Sequence, residues 1–290
     1  MIPLDLGTAM AISGAAAASN MGANLRQWST TLALLNVRLG YWFPHPKYIR
    51  RNPGWLKFLQ TSNLYLLSEM FGLLRESTSY VYLTDGGHIE NLGLYQLLRR
   101  RCQLIIVIDA EADPKMAFNS FIRAERYARI DLGTRIDLPW HEIRDATLEV
   151  NRVIADQGDT GKLITHHGPH CALGTIHYPK GQEGILLYVK SSLSGDECDY
   201  VINYKSRYAS FPHETTGDQF FSEEQFEVYR NLGFHVVQGF FSGRDKVAFA
   251  ASRRSPVERA DGANHADEAP KAESKNLKSR VQELLKSQPI

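Results

Sequence analysis

The sequence predicts an α/β fold, and three features carry that prediction. Leu104-Ile-Ile-Val-Ile-Asp109 is an unbroken apolar run ending on a carboxylate, the pattern of a strand covered on both faces. Residues 80–109 read as strand, glycine turn, helix and strand, the unit that carries side chains to the carboxyl edge of a sheet. Thr175–Tyr178 and Gly184–Lys190, joined by Pro-Lys-Gly-Gln-Glu, read as a hairpin.

Taken in order, residues 8–21 are small and uncharged and form a helix suited to close packing. Residues 27–38 have apolar residues at helical spacing. Pro44, Pro46 and Pro53 mark 41–54 as a surface loop, and helical periodicity returns over 55–75. Ser79–Thr84 is strand-like. Asn91 is a suitable N-cap for a helix over Leu92–Arg101, whose basic end lies C-terminal as the helix dipole favours. Met116–Ile130 is a further helix, and Ser222-Glu-Glu-Gln225 is a capping box opening one over Ser222–Leu232. One folded domain is expected over 1–250. Residues 252–275, polar and almost without large apolar side chains, fall in a disordered tail over 251–290. Only 277–285 in that tail can form a short helix, marginal by itself at that length.

A chain of 290 residues has ample material for a core, and 43% hydrophobic with 22% charged residues is an ordinary globular composition. A net charge of +1 and no basic stripe exclude a nucleic-acid partner. Three widely spaced cysteines, Cys102, Cys171 and Cys198, fit a reducing compartment, and a cytoplasmic location follows. Asp5 precedes the first basic residue, Arg26, which argues against a secretory leader, and no window is apolar enough to span a bilayer. The apolar start is read as a core segment whose preceding strand is missing.

Asp85 is the candidate catalytic residue. It stands at a strand end before Gly86 and Gly87, whose missing Cβ atoms leave room for close approach. A carboxylate held about 3 Å from a hydroxyl can take its proton directly. Glu90 and Asn91 are assigned to capping, and His88, on the same tight turn, is not expected to point at Asp85. Asp109, Glu111 and Asp113 read as a solvated strand-end loop. An alternative is a metal-dependent hydrolase using Asp85, Asp109 and Asp113. His166, His167, His170, Cys171 and His177 have the donor types for zinc but irregular spacing, and read as a solvent-facing loop. Tyr41, Trp42, Phe43, Trp55 and Phe58 can line an acyl groove or simply pack in the core.

The string Leu83-Thr-Asp-Gly-Gly-His-Ile-Glu-Asn-Leu-Gly93 resembles the aspartate-bearing half of the patatin-like phospholipase family, related to the cytosolic phospholipases. Ala11–Gly22, Leu35–Trp42 and Phe211–Gln219 fit the same resemblance, which spans roughly residues 1–245. It implies a three-layer α/β/α sandwich with a mixed central sheet, and hydrolysis of lipid acyl esters by a serine–aspartate dyad. Asp85 is then the dyad acid. Phospholipid or another acyl lipid is the substrate, a peripheral membrane surface is a partner, and no metal or cofactor is needed. The family's nucleophile motif, Gly-x-Ser-x-Gly, is absent: Ser13, Ser194 and Ser242 all lack the glycine two residues before. The expectation is therefore a domain incomplete at its N-terminus and inactive alone, with an N-terminal segment carrying the serine as its partner. A non-catalytic scaffold or lipid-surface module is the alternative reading.

Overall fold

The structure, a computed structural model, describes residues 5–13, 41–45, 75, 77, 80–83, 85–157, 168–215, 220–243, 247–249 and 279. The chain divides into two units, residues 1–91 and 92–290. The expected elements at 14–21, 27–38, 46–54 and 55–74 lie outside the described residues, as does the tail apart from Ser279, which is helical.

In the first unit, α1 (Leu6–Ser13) starts two residues before the predicted helix because Asp5 accepts from both the Thr8 N–H (2.8 Å) and the Thr8 hydroxyl (2.7 Å), an N-cap. β1 (Tyr41–Pro44) corrects the loop expected from its prolines. Tyr-Trp-Phe suits a pleated surface, and Pro44, with no N–H to donate, ends the strand. β1 pairs antiparallel with β2 (Tyr80–Leu83), Trp42 opposite Tyr82 with ring centroids 5.3 Å apart.

The second unit is α/β. In chain order it holds α2 (Leu94–Arg99), β3 (Leu104–Asp109), α3 (Asn119–Leu132), β4 (Arg135–Asp137), α4 (Trp140–Gln157), β5 (Cys171–His177), β6 (Glu183–Lys190), α5 (Asp199–Arg207), α6 (Glu223–Ser242) and β7 (Val247–Phe249). The mixed sheet runs β3-β6-β5-β4, with β3 parallel to β6 and the predicted β5–β6 hairpin antiparallel. β4 and β7 share the far edge of β5, β4 beside its C-terminal half and β7 beside its N-terminal half.

Alternation along the strands divides the core. Ile105, Val107, Ala172, Ile176, Leu186 and Tyr188 pack with α2 and α3, whereas Cys171, Leu173, Ile185 and Leu187 pack with α5 and α6. Each large apolar side chain so buried contributes about 1.5–3 kcal/mol relative to exposure.

Four details of these elements differ from the sequence reading. β3 is not covered on both faces: Ile106 and Ile108, on the face it shares with Leu187 of β6, are 42% and 72% exposed. α2 is capped by Gly93 in a left-handed conformation (φ 66°), not by Asn91. α3 begins three residues late because the Asp113 carboxylate accepts from the Ala117 and Phe118 N–H groups (3.0 and 2.7 Å), holding them in a turn. α6 keeps the predicted Ser222 cap, whose hydroxyl accepts from the Gln225 N–H at 3.1 Å, but runs ten residues past Leu232.

Candidate functional site

Asp85 follows β2 directly and opens a 3-10 turn, Gly86–His88. Its Oδ1 accepts from the Gly87 N–H at 2.9 Å, which fixes the carboxylate against its own turn. The residue is half-buried, and among the described residues Oδ2 accepts no hydrogen bond. The two glycines differ in purpose. A Cβ on Gly86 would meet open space, but one on Gly87 would sit 2.6 Å from the Asn91 Oδ1. Asn91 therefore folds over the turn instead of capping α2, and Gly87 alone is demanded by close approach. Glu90 is buried at 9% exposure.

In the second unit, polar side chains gather where β3 and β6 end and β5 begins. Asp109 closes β3 and is 2% exposed. Its Oδ1 accepts from the Glu111 N–H at 2.9 Å, and its Oδ2 receives the Tyr188 hydroxyl and lies 3.0 Å from Lys190 Nζ. Lys190 also donates to the Glu111 carbonyl at 3.2 Å. Burial and the Asp109 charge hold the Tyr188 hydroxyl protonated far above the ordinary phenol range. Asp109 is thus one half of a fully buried ion pair, which corrects the solvated-loop reading, and Asp113 is spent on the turn before α3.

His213, in the loop after α5, is buried beside this pair, and neither ring nitrogen meets a partner in hydrogen-bond geometry. Burial, then the Lys190 charge, pulls its pKa down to about 4. The Glu111 backbone and Asp113 act weakly the other way, and Lys205 adds to the lowering.

A second cluster occupies the same sheet edge. The Lys190 N–H donates to the His170 carbonyl at 3.1 Å, extending the β5–β6 pairing one step, and Thr147 of α4 donates to the Leu193 carbonyl at 3.0 Å. This anchors 190–194 against 168–170. His170 is 1% exposed, which overturns the solvent-facing reading of the histidine group; His166 and His167 lie outside the described residues. Its Nδ1 is 3.0 Å from Ser192 Oγ, and its Nε2 is 2.8 Å from Ser194 Oγ. Ser194 Oγ also hydrogen-bonds Asp196, whose Oδ1 lies 3.0 Å from His235 Nε2 on α6. Burial raises the Asp196 pKa, but the neighbouring polar groups of His170, His235 and Ser194 outweigh it and hold the carboxyl far below the usual range. Glu197 accepts from the Ser194 and Gly195 N–H groups at 2.6 and 2.9 Å, shaping the loop that presents Asp196.

His177, assigned to the same group in sequence, stands at the far end of β5 with Asp137 and Glu183. Cys171 turns into the core. Of the three serines weighed as nucleophiles, Ser13 ends α1, Ser242 ends α6 and Ser194 is buried against His170. No local spacing ties His170 to Asp196 and His235, 26 and 65 positions on, so only the fold reveals the cluster.

Among the described residues no helix is long and apolar enough to cross a membrane. The chain matches no family model, no curated protein and no solved structure.

Proposed function

We propose that this chain is the aspartate-bearing part of a patatin-like lipid acyl hydrolase, with a three-layer α/β/α sandwich as its architecture. The observation that carries the reading is Asp85: a half-buried carboxylate at a strand end, one oxygen tied to the Gly87 N–H, the other unengaged among the described residues. That oxygen is the one a serine hydroxyl would address. In the completed site, Asp85 takes the hydroxyl proton as the oxygen attacks the ester carbonyl, and the departing alcohol receives it. Water then releases the acyl group by the reverse relay. Phospholipid or another acyl lipid at a peripheral membrane surface is the substrate class.

The alternative using Asp85, Asp109 and Asp113 as metal ligands loses support, since protein donors already occupy Asp109 and Asp113. One observation favours a lipid-surface module as second reading. Phe226, Phe234, Val237 and Phe241 fall on one exposed stripe of α6, with Phe220 and Phe221 exposed just before it.

Purified protein is assayed with a short-chain nitrophenyl ester and a lysophospholipid. The dyad reading expects no turnover by this chain alone, and Asp85-dependent turnover once a segment carrying Gly-x-Ser-x-Gly is supplied. Turnover by this chain alone that Asp85→Asn abolishes would refute the divided site. Vesicle co-sedimentation without hydrolysis, in the supplemented protein too, would favour the lipid-surface module.

A further inference from the structure

We infer that His170 Nε2, His235 Nε2 and a carboxylate oxygen of Asp196 form a binding site for a first-row divalent transition metal, zinc being the best match to the donors. The site uses none of the residues assigned to ester hydrolysis and stands independently of that assignment.

The geometry is the first argument. The three donor atoms lie within 4.8 Å of one another. His235 Nε2 is 3.0 Å from Asp196 Oδ1, and His170 Nε2 is 3.9 Å from the same oxygen. Donors at the usual bond lengths around a tetrahedral zinc ion stand about 3.3 Å apart, between these two separations. The imidazole rings meet nearly at right angles, 85° between planes with centroids 5.6 Å apart, so both can aim a nitrogen at one point without stacking.

The outer shell is the second. A metal-bound imidazole needs its other nitrogen held by an acceptor, which fixes the tautomer. Ser192 Oγ lies 3.1 Å from the Lys190 carbonyl and 3.0 Å from His170 Nδ1, so with its one hydrogen on that carbonyl it accepts from Nδ1–H. The lone pair of a neutral His170 then lies on Nε2, facing Asp196.

A shortage of hydrogens at the centre is the third. Ser194 has one hydroxyl hydrogen for two acceptors, His170 Nε2 and Asp196. That hydroxyl can donate to only one of them at a time. A cation held between the two engages both lone pairs at once, and the Ser194 hydroxyl, which now bridges them, turns aside to admit it. Charge points the same way. Asp196 and Glu197 both approach His170 Nε2, at 3.9 and 3.6 Å, and among the described residues no Lys or Arg is paired with either carboxylate. Two imidazole donors favour zinc and its neighbours over magnesium or calcium, which prefer oxygen. The Asp196 and His235 side chains are 28% and 26% exposed, so an ion has a route from solvent to the buried His170.

The test is a cobalt titration of the untagged, chelator-stripped 290-residue chain, followed by visible absorption and zinc displacement. Expected are one equivalent bound, a ligand-field band that zinc abolishes, and a melting temperature that zinc raises. His235→Gln and Asp196→Asn should each weaken binding by about 100-fold or more, a ligand counting for at least as much as an outer-shell partner. His177→Gln should leave it unchanged, although His177 also stands beside two carboxylates. Circular dichroism without metal checks each fold, and one folded ligand variant suffices. No cobalt band, binding that survives the folded ligand variants, or equal loss in His177→Gln would overturn the site.

Discussion

At the scale of single residues, Lys190 and Asp109 are the costliest pair to disturb. Both are almost fully buried, at 1% and 2% side-chain exposure, and each leaves the other an uncompensated charge if removed. Lys190→Met should lower stability by about 3–5 kcal/mol in urea unfolding. Asp109→Asn in the same chain should restore part of that, because the stranded charge is gone, and a double-mutant cycle reads the difference. Gly87 is the second such residue. A methyl group there would stand 2.6 Å from the Asn91 Oδ1. Gly87→Ala should therefore displace Asn91 and loosen the turn that holds Asp85, whereas Gly86→Ala, facing open space, should be tolerated. Proteolysis at this turn in the two variants distinguishes them.

Among the elements, α6 rests on the residue that caps it and β5 on a gap in its side chains. Ser222 offers the cap to α6, and Ser222→Ala should cost about 0.5–2 kcal/mol in thermal unfolding without changing the oligomeric state or core. Gly174, in the middle of β5, lets β4 and the chain after it come close. A Cβ there would lie 2.5 Å from the Asp137 carbonyl and 2.9 Å from Leu138. Backbone cannot yield as a long side chain can, so Gly174→Val should cost more than the roughly 1–3 kcal/mol of ordinary overpacking. The β5–β4 amide hydrogens would then lose exchange protection first.

For the molecule as a whole, the acid side of its stability curve should bear the mark of His213. Its folded pKa is pulled down to about 4, while the unfolded ring titrates near the ordinary 6.5. Between those values the unfolded chain binds a proton that the folded chain refuses. Stability therefore falls as pH drops through that window, by about 3 kcal/mol in total, and is unaffected by this group above it. His213→Gln should flatten the fall in melting temperature between pH 6.5 and 5, before most carboxylates titrate.

By itself the sequence determined the elements whose cause is local. The apolar run of β3, the Pro-Lys-Gly-Gln-Glu hairpin and the Ser222 capping box are all readable, because propensity, turn chemistry and caps act over a few residues. The position of Asp85 at a strand end before two glycines was legible for the same reason. β4, β7 and α5 went unread, since short segments become elements only when a neighbour buries their apolar side, and the 18-residue α4 went unread although Ile143, Val150 and Ile154 recur at helical spacing. Tertiary structure alone decided which polar groups meet. Asp109 finds Lys190 across 81 residues of chain, and His170 finds Asp196 and His235, because parallel and antiparallel strands deliver their ends to one sheet edge. Partners joined by folding rather than by spacing leave no local pattern, so burial, charge pairing and metal affinity at that edge belong to the fold.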